Sequence, residues 1–158
     1  MPKITKTAAC NCGQVQVSVT GDDKEAVHCY CTNCQRATGS AFAHNHRFID
    51  AELTITKGED VLKQYADANT DSGNVMYRHF CGNCVRFQNG GVQTDKGCPM
   101  FLRSNVVPSF VALHEGSIRG EKTQPVIELY PQDKHAWFGK VTAGERKTTP
   151  FPWDPDAK

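Results

Sequence analysis

Val27-His28-Cys29-Tyr30-Cys31-Thr32-Asn33-Cys34-Gln35-Arg36 places three cysteines within six residues, and Ala37-Thr38-Gly39-Ser40 follows it. In extended backbone Cys29 and Cys31 leave the same face. Cys31 and Cys34 form a C-x-x-C step, the spacing with which a tight turn brings two thiolates onto one metal ion. Three soft ligands from one short loop suit zinc and leave a tetrahedral ion one ligand short, as in a catalytic site. Working outward, Cys10-Asn11-Cys12 and Cys81-Gly82-Asn83-Cys84 repeat the two spacings in distant segments. Together they offer the four thiolates of a closed structural zinc site, one that would tie the start of the chain to its middle. Seven of the eight cysteines fall into such groups, which makes metal binding a stronger reading than random placement.

Competing uses of the cysteines fare less well. The N-terminal Met1-Pro2-Lys3-Ile4-Thr5-Lys6 lacks the apolar run of a secretory leader, so a reducing, cytoplasmic setting is expected and a disulfide framework is not. A redox C-x-x-C would leave both C-x-C pairs unexplained. Two purely structural zincs remain the serious alternative.

The order C-x-C-G, then H-C-x-C-x-x-C-[QR]-x-x-x-G-S, then F-C-x-x-C resembles the glutathione-dependent formaldehyde-activating enzyme family. Here those motifs are Cys10 to Gly13, His28 to Ser40 and Phe80 to Cys84. The resemblance is dense over the first half of the chain and looser down to Trp137-Phe138. It implies a mainly β fold of small antiparallel sheets around the zinc sites, β-tent-like, and carbon–sulfur chemistry on thiol adducts of aldehydes. It also implies two zincs per chain, a structural one on Cys10, Cys12, Cys81 and Cys84 and a catalytic one on Cys29, Cys31 and Cys34, in agreement with the spacing.

Length predicts one domain over residues 1–158, with a core of about 5–140 and an irregular Pro-rich strap over 141–158. Eighteen Lys+Arg against 17 Asp+Glu give no basic field for nucleic acid, and no apolar run reaches membrane-spanning length. The alternating stretch Gln14 to Val19 reads as a strand ended by Gly21-Asp22-Asp23. Further strands are expected at 40–49, 53–57, 61–65, 75–80 and 126–130, with a helical turn at 34–38 stopped by Gly39. His44 and His46 share a strand face and read as an exposed or hydrogen-bonded pair rather than ligands. His28 and His79, beside cysteine groups, read as donors to the thiolates. Arg36 is a candidate for a substrate carboxylate, and Ser40 and His28 are candidates for moving a proton. Trp137 reads as core packing, with a cleft wall as the alternative.

After Cys84 the sequence departs from the family pattern, and Val85 to Pro99 is polar and glycine-rich. Cys98 lies there without a partner. It reads as a buried thiol or, more sharply, as a fourth ligand closing the central zinc. The functional expectation is a zinc-dependent carbon–sulfur lyase or synthase whose partners are a small thiol, glutathione-like, and an aldehyde such as formaldehyde, or their adduct. The same fold recruited to a larger metabolite, or a non-catalytic zinc-binding interaction module, are the alternatives. Homo-oligomerisation is left open.

Overall fold

The computed structural model describes residues 2–84, 97–141 and 144–146. Nine strands and one short helix follow in chain order: β1 (Lys3–Ala9), β2 (Gln16–Cys29), α1 (Thr32–Thr38), β3 (Ala43–Lys57), β4 (Leu62–Asp67), β5 (Met76–Cys81), β6 (Cys98–Ser104), β7 (Val111–His114), β8 (Pro125–Leu129) and β9 (Gly144–Arg146). The mainly β expectation holds. The strands join into one connected sheet in the order β4-β5-β6-β7-β3-β2-β8-β9, with β1 on the free edge of β2. Pairing is antiparallel except where β8 joins β2 and β9 joins β8.

The first half of β2 pairs with β1 and its second half with β8, while β3 runs along its other edge throughout. The turn expected at Gly21-Asp22-Asp23 is absent. Irregularities between Thr20 and Asp22 and between Asp23 and Ala26 bend the strand instead of ending it. A side chain on Gly21 would meet Ala51 Cα at 2.9 Å, so this glycine serves close approach of two strands rather than a reversal. The expected strands at 40–49 and 53–57 are likewise one strand, β3. The helical turn is present as α1, with Gly39 in the left-handed conformation at its end.

Alternation along β1, β2 and β3 buries Ala8, Val17, Val19 and Phe48 with Val15, Met100, Phe101 and Leu113. Cys10 and Cys81 belong to this core, so one cysteine group is built into the main packing. A smaller cluster of Val27, Cys29, Cys34, Ala43 and Leu129 surrounds the other. Among the described residues no helix is long and apolar enough to cross a membrane. Most of the divergent segment (85–96) and the tail after 146 lie outside the described residues.

Gly58 joins β3 to β4 at φ +82°, and a Cβ there would fall 2.0 Å from the Gln14 carbonyl oxygen. Gly58→Ala is therefore expected to cost about 2–4 kcal/mol, combining left-handed strain with overpacking against backbone. Denaturant unfolding measures it; an unchanged midpoint would show that the loop relaxes freely.

Candidate metal centres

Cys10 follows β1, and the backbone then turns back through Gly13 N–H to Cys10 O (3.1 Å). Cys81 ends β5, and the next turn is held by Gly82 N–H to Val61 O (2.8 Å). These turns bring Sγ of Cys10, Cys12, Cys81 and Cys84 within 4.8 Å of one another. All eight cysteines are unbridged. Cys10 Sγ lies 3.5 Å from Cys12 Sγ, which lies 3.7 Å from Cys81 Sγ. A tetrahedral shell with Zn–S of about 2.3 Å sets sulfurs about 3.8 Å apart, whereas a disulfide needs about 2.05 Å. The donor set and its spacing thus fit a soft tetrahedral ion. Val15 N–H and Asn83 Nδ2 donate to Cys10 and Cys12 Sγ at 3.3 and 3.4 Å. The Asn83 bond lowers the Cys12 thiol to about 6, against the desolvation that opposes it.

The second group assembles where β2 meets α1. Cys29 ends β2, Cys31 caps α1 by accepting Cys34 N–H on its sulfur (3.2 Å), and Cys34 is the buried residue of the helix. Their three Sγ atoms also lie within 4.8 Å of one another. Gln35 Nε2 donates to Tyr30 O and Asp133 O, fixing the helix to β2 and to the turn after β8. Asn33, inside the C-x-x-C step, donates to Asp67 Oδ1 (2.8 Å), and Asp67 Oδ2 accepts from Arg78 Nε (2.7 Å). The cysteine loop is thereby anchored to β4 and β5. Hydrogen bonds from Cys29 and Cys31 hold the buried Cys34 thiol well below the ordinary thiol range, and the Arg78 charge adds to this against desolvation.

A pocket of about 90 Å³ opens on this group, lined by Cys29, Cys31 and Cys34. Its floor is set by sheet register. Arg78, Leu102, Ala112 and Arg47 form one row across β5, β6, β7 and β3, and Val27 pairs with Asn45 beside it. All six line the pocket, with Met76 and Phe110 completing an apolar wall. Arg47, Asn45 and Arg78 are 5, 5 and 9% exposed, and Asp71 and Ser72 add polar groups to the same lining.

None of these three was singled out by sequence reasoning. Arg78 and Arg47 sit in recognisable strands, but which strand face meets the cysteines depends on long-range register. Arg36, the expected carboxylate binder, is exposed on α1 and does not line the pocket. His28 alternates with Val27 and Cys29 and so faces away from it. Its ring stacks on Phe42 and meets the Tyr30 hydroxyl at 3.3 Å, and burial, with His44 nearby, lowers it to about 4. His79 Nδ1 bonds Tyr77 O. The expectation that these two histidines donate to thiolates finds no such bond among the described residues. Ser40 Oγ accepts the Phe42 N–H instead of facing the cysteines. His46 lies between Glu115 Oε1 (3.0 Å) and Asp23 Oδ1 (2.9 Å), hydrogen-bonded as expected, whereas His44 is half-buried and its Nε2 has no hydrogen-bond partner among the described residues. Trp137 is 75% exposed, and Phe138 rather than Trp137 packs on Tyr30 and Phe42.

Cys98 pairs with Cys81 across β5 and β6 and packs against the main core. It belongs to neither group of converging thiols. The reading in which it closes the central site is therefore overturned, because strand pairing commits it to the other end of the molecule. Among the described residues the three-cysteine group has no fourth cysteine.

A solved crystal structure of a Rhodobacter sphaeroides protein is similar in fold, at 18% identity and a TM-score of 0.53, covering 73% of this chain and 90% of that one. No curated protein matches the chain. The profile of the glutathione-dependent formaldehyde-activating enzyme family matches residues 5–133, a span that holds all eight cysteines and both groups, and the chain belongs to that family.

Proposed function

We propose that this protein is a zinc-dependent carbon–sulfur lyase or synthase acting on thiol adducts of small aldehydes. Cys10, Cys12, Cys81 and Cys84 hold a structural zinc, and Cys29, Cys31 and Cys34 hold the catalytic one. The observation that carries the proposal is the three-thiol group one ligand short of a tetrahedral shell, at the wall of a pocket. A closed interaction module has no use for that combination. When bound there, zinc supplies Lewis acidity and an open position with affinity for sulfur or a carbonyl oxygen.

In the synthetic direction the thiol sulfur bonds to the aldehyde carbon, the carbonyl π pair moves to oxygen, and the thiol proton ends on that oxygen. Nothing is oxidised or reduced, and the reverse step releases thiol and aldehyde. The chain contributes position and environment. The register row of Arg78, Leu102, Ala112 and Arg47 forms a floor, and the Asp67 clamp fixes the cysteine loop above it. The apolar wall limits water around the reacting atoms.

Purified protein is expected to contain two zinc ions per chain, one of them exchangeable for cobalt. Adding glutathione to the cobalt form should change its visible absorption, since a soft open position takes a further sulfur in preference to water. An unchanged spectrum at saturating thiol, together with no turnover of glutathione and formaldehyde, would refute the assignment.

A further inference from the structure

We infer that the ligand of the three-cysteine pocket carries a carboxylate, bound by Arg78, with Asn45 taking a second polar group of the same ligand. The inference rests on the proposed function only in treating this pocket as a ligand site. Arg78 is nine-tenths buried and lines the pocket. Its Nε is committed to Asp67, which itself also accepts from Asn33, and its guanidinium also bonds the Cys34 sulfur, while its Nη1 has no hydrogen-bond partner among the described residues. Asn45 is 5% exposed, lines the same pocket, and leaves Oδ1 without a partner among the described residues. Buried polar groups in apolar surroundings are costly unless something meets them.

The chemistry of the two groups selects the ligand. A guanidinium fixed through Nε and by Cys34 keeps the N–H groups of Nη1 for a carboxylate, and its charge strengthens that bond. The amide of Asn45 can present either its oxygen or its nitrogen to a ligand. β5 and β3 are separated by two intervening strands, so the backbones bearing Arg78 and Asn45 lie roughly 14 Å apart at the usual strand spacing. A molecule touching both is several atoms long, with an apolar middle over Leu102, Ala112 and Phe110. Formaldehyde alone is too short to touch both. The carboxylate can come from the thiol half or from the aldehyde half of an adduct.

The test uses zinc-loaded full-length protein and needs no turnover. Propionate and its neutral isostere propionamide are titrated by ligand-observed NMR. Propionate is expected to bind about tenfold more tightly, the advantage of a charge-assisted pair. Arg78→Lys keeps a cation for Asp67 but loses the fork, and should remove most of that tenfold preference. Should Arg78→Lys fold poorly, the double variant Asp67→Asn/Arg78→Met removes both partners without orphaning a buried charge and should abolish the preference. Asn45→Ala should weaken longer hydroxy- or amino-carboxylates several-fold while leaving propionate unchanged. Equal binding of propionate and propionamide, or a preference that survives the loss of Arg78, overturns the inference.

The source of the carboxylate is read from two pairs: 3-mercaptopropionate against 2-mercaptoethanol, and glyoxylate against formaldehyde. The pair whose difference disappears in the Arg78 variants names the half that carries the charge. Arg78-dependent propionate binding without turnover of any thiol–aldehyde pair would support the carboxylate site and defeat the lyase reading. Turnover indifferent to Arg78 would do the reverse.

Discussion

Cys84→Ser is expected to yield little soluble protein, or protein that melts roughly 8–16 °C lower. The four-cysteine group joins turns about 70 residues apart, so in the metal-free chain a long loop has to be closed at an entropic cost growing with its length. Structural zinc contributes roughly 10–16 kcal/mol in small peptides, as much as the whole net stability of a typical domain. Losing about 4 kcal/mol of that lowers the midpoint by roughly 8–16 °C in a chain of this size. Cys10 and Cys81 are also core residues, so an unfilled centre disturbs packing as well as cross-linking. Cys84 is the better residue to replace than Cys81 because it is only half-buried, and serine there adds little cost of its own. Thermal unfolding with zinc analysis checks the result. A Cys84→Ser protein with wild-type melting would show that the group does not hold the fold together.

Cys34→Ser should do the opposite, sparing the fold and abolishing turnover. Its partners Cys29 and Cys31 are sequence neighbours, and Asn33, Asp67, Gln35 and Asp133 hold the loop independently of any metal. Serine oxygen is a poor ligand for a soft site, so the exchangeable zinc should be lost. Several kcal/mol of charge stabilisation go with it, a fall in kcat/KM of about 100-fold or more. Melting temperature, zinc content and thiol–aldehyde turnover are measured on the one variant. A zinc-depleted Cys34→Ser enzyme with full activity would remove the three-cysteine group from catalysis. A variant that unfolds as readily as Cys84→Ser would favour two structural centres.

Local chemistry was legible in the sequence. C-x-C and C-x-x-C spacings marked the local cysteine sets, because each is formed by neighbouring residues, and the count of four suggested that the two outer pairs meet. Gly39 marked the end of α1 for the same reason. Long-range placement was not legible. Cys98 is isolated in sequence, and only the pairing of β5 with β6 shows that it sits by Cys81. Arg78 and Asn45 face the pocket through strand pairings that a shift of one residue would invert, and no local pattern encodes that choice. Gly21 followed by two aspartates has the composition of a turn. Close approach to Ala51 and two strand irregularities override it. Composition overstated Arg36 for a similar reason: a cation next to the motif in sequence points to solvent, and cations from β3 and β5 take the position beside it.

The length of β2 has a consequence for how the protein is made. This strand carries Cys29 at one end and begins just after the Cys10–Cys12 turn, so 14 residues of extended chain, roughly 45 Å along its bent path, run between the two thiol groups. Neither group can lend a sulfur to the other. On the ribosome all three cysteines of the pocket group have been synthesised by Cys34, whereas Cys84 follows about 50 residues later, a delay of roughly 3–10 s at ordinary elongation rates. The nascent chain thus offers a complete local chelate before the strands that form its floor exist, while Cys10 and Cys12 wait as an unfinished pair. Any metal met during synthesis would accordingly reach the pocket cysteines first and the core cysteines last.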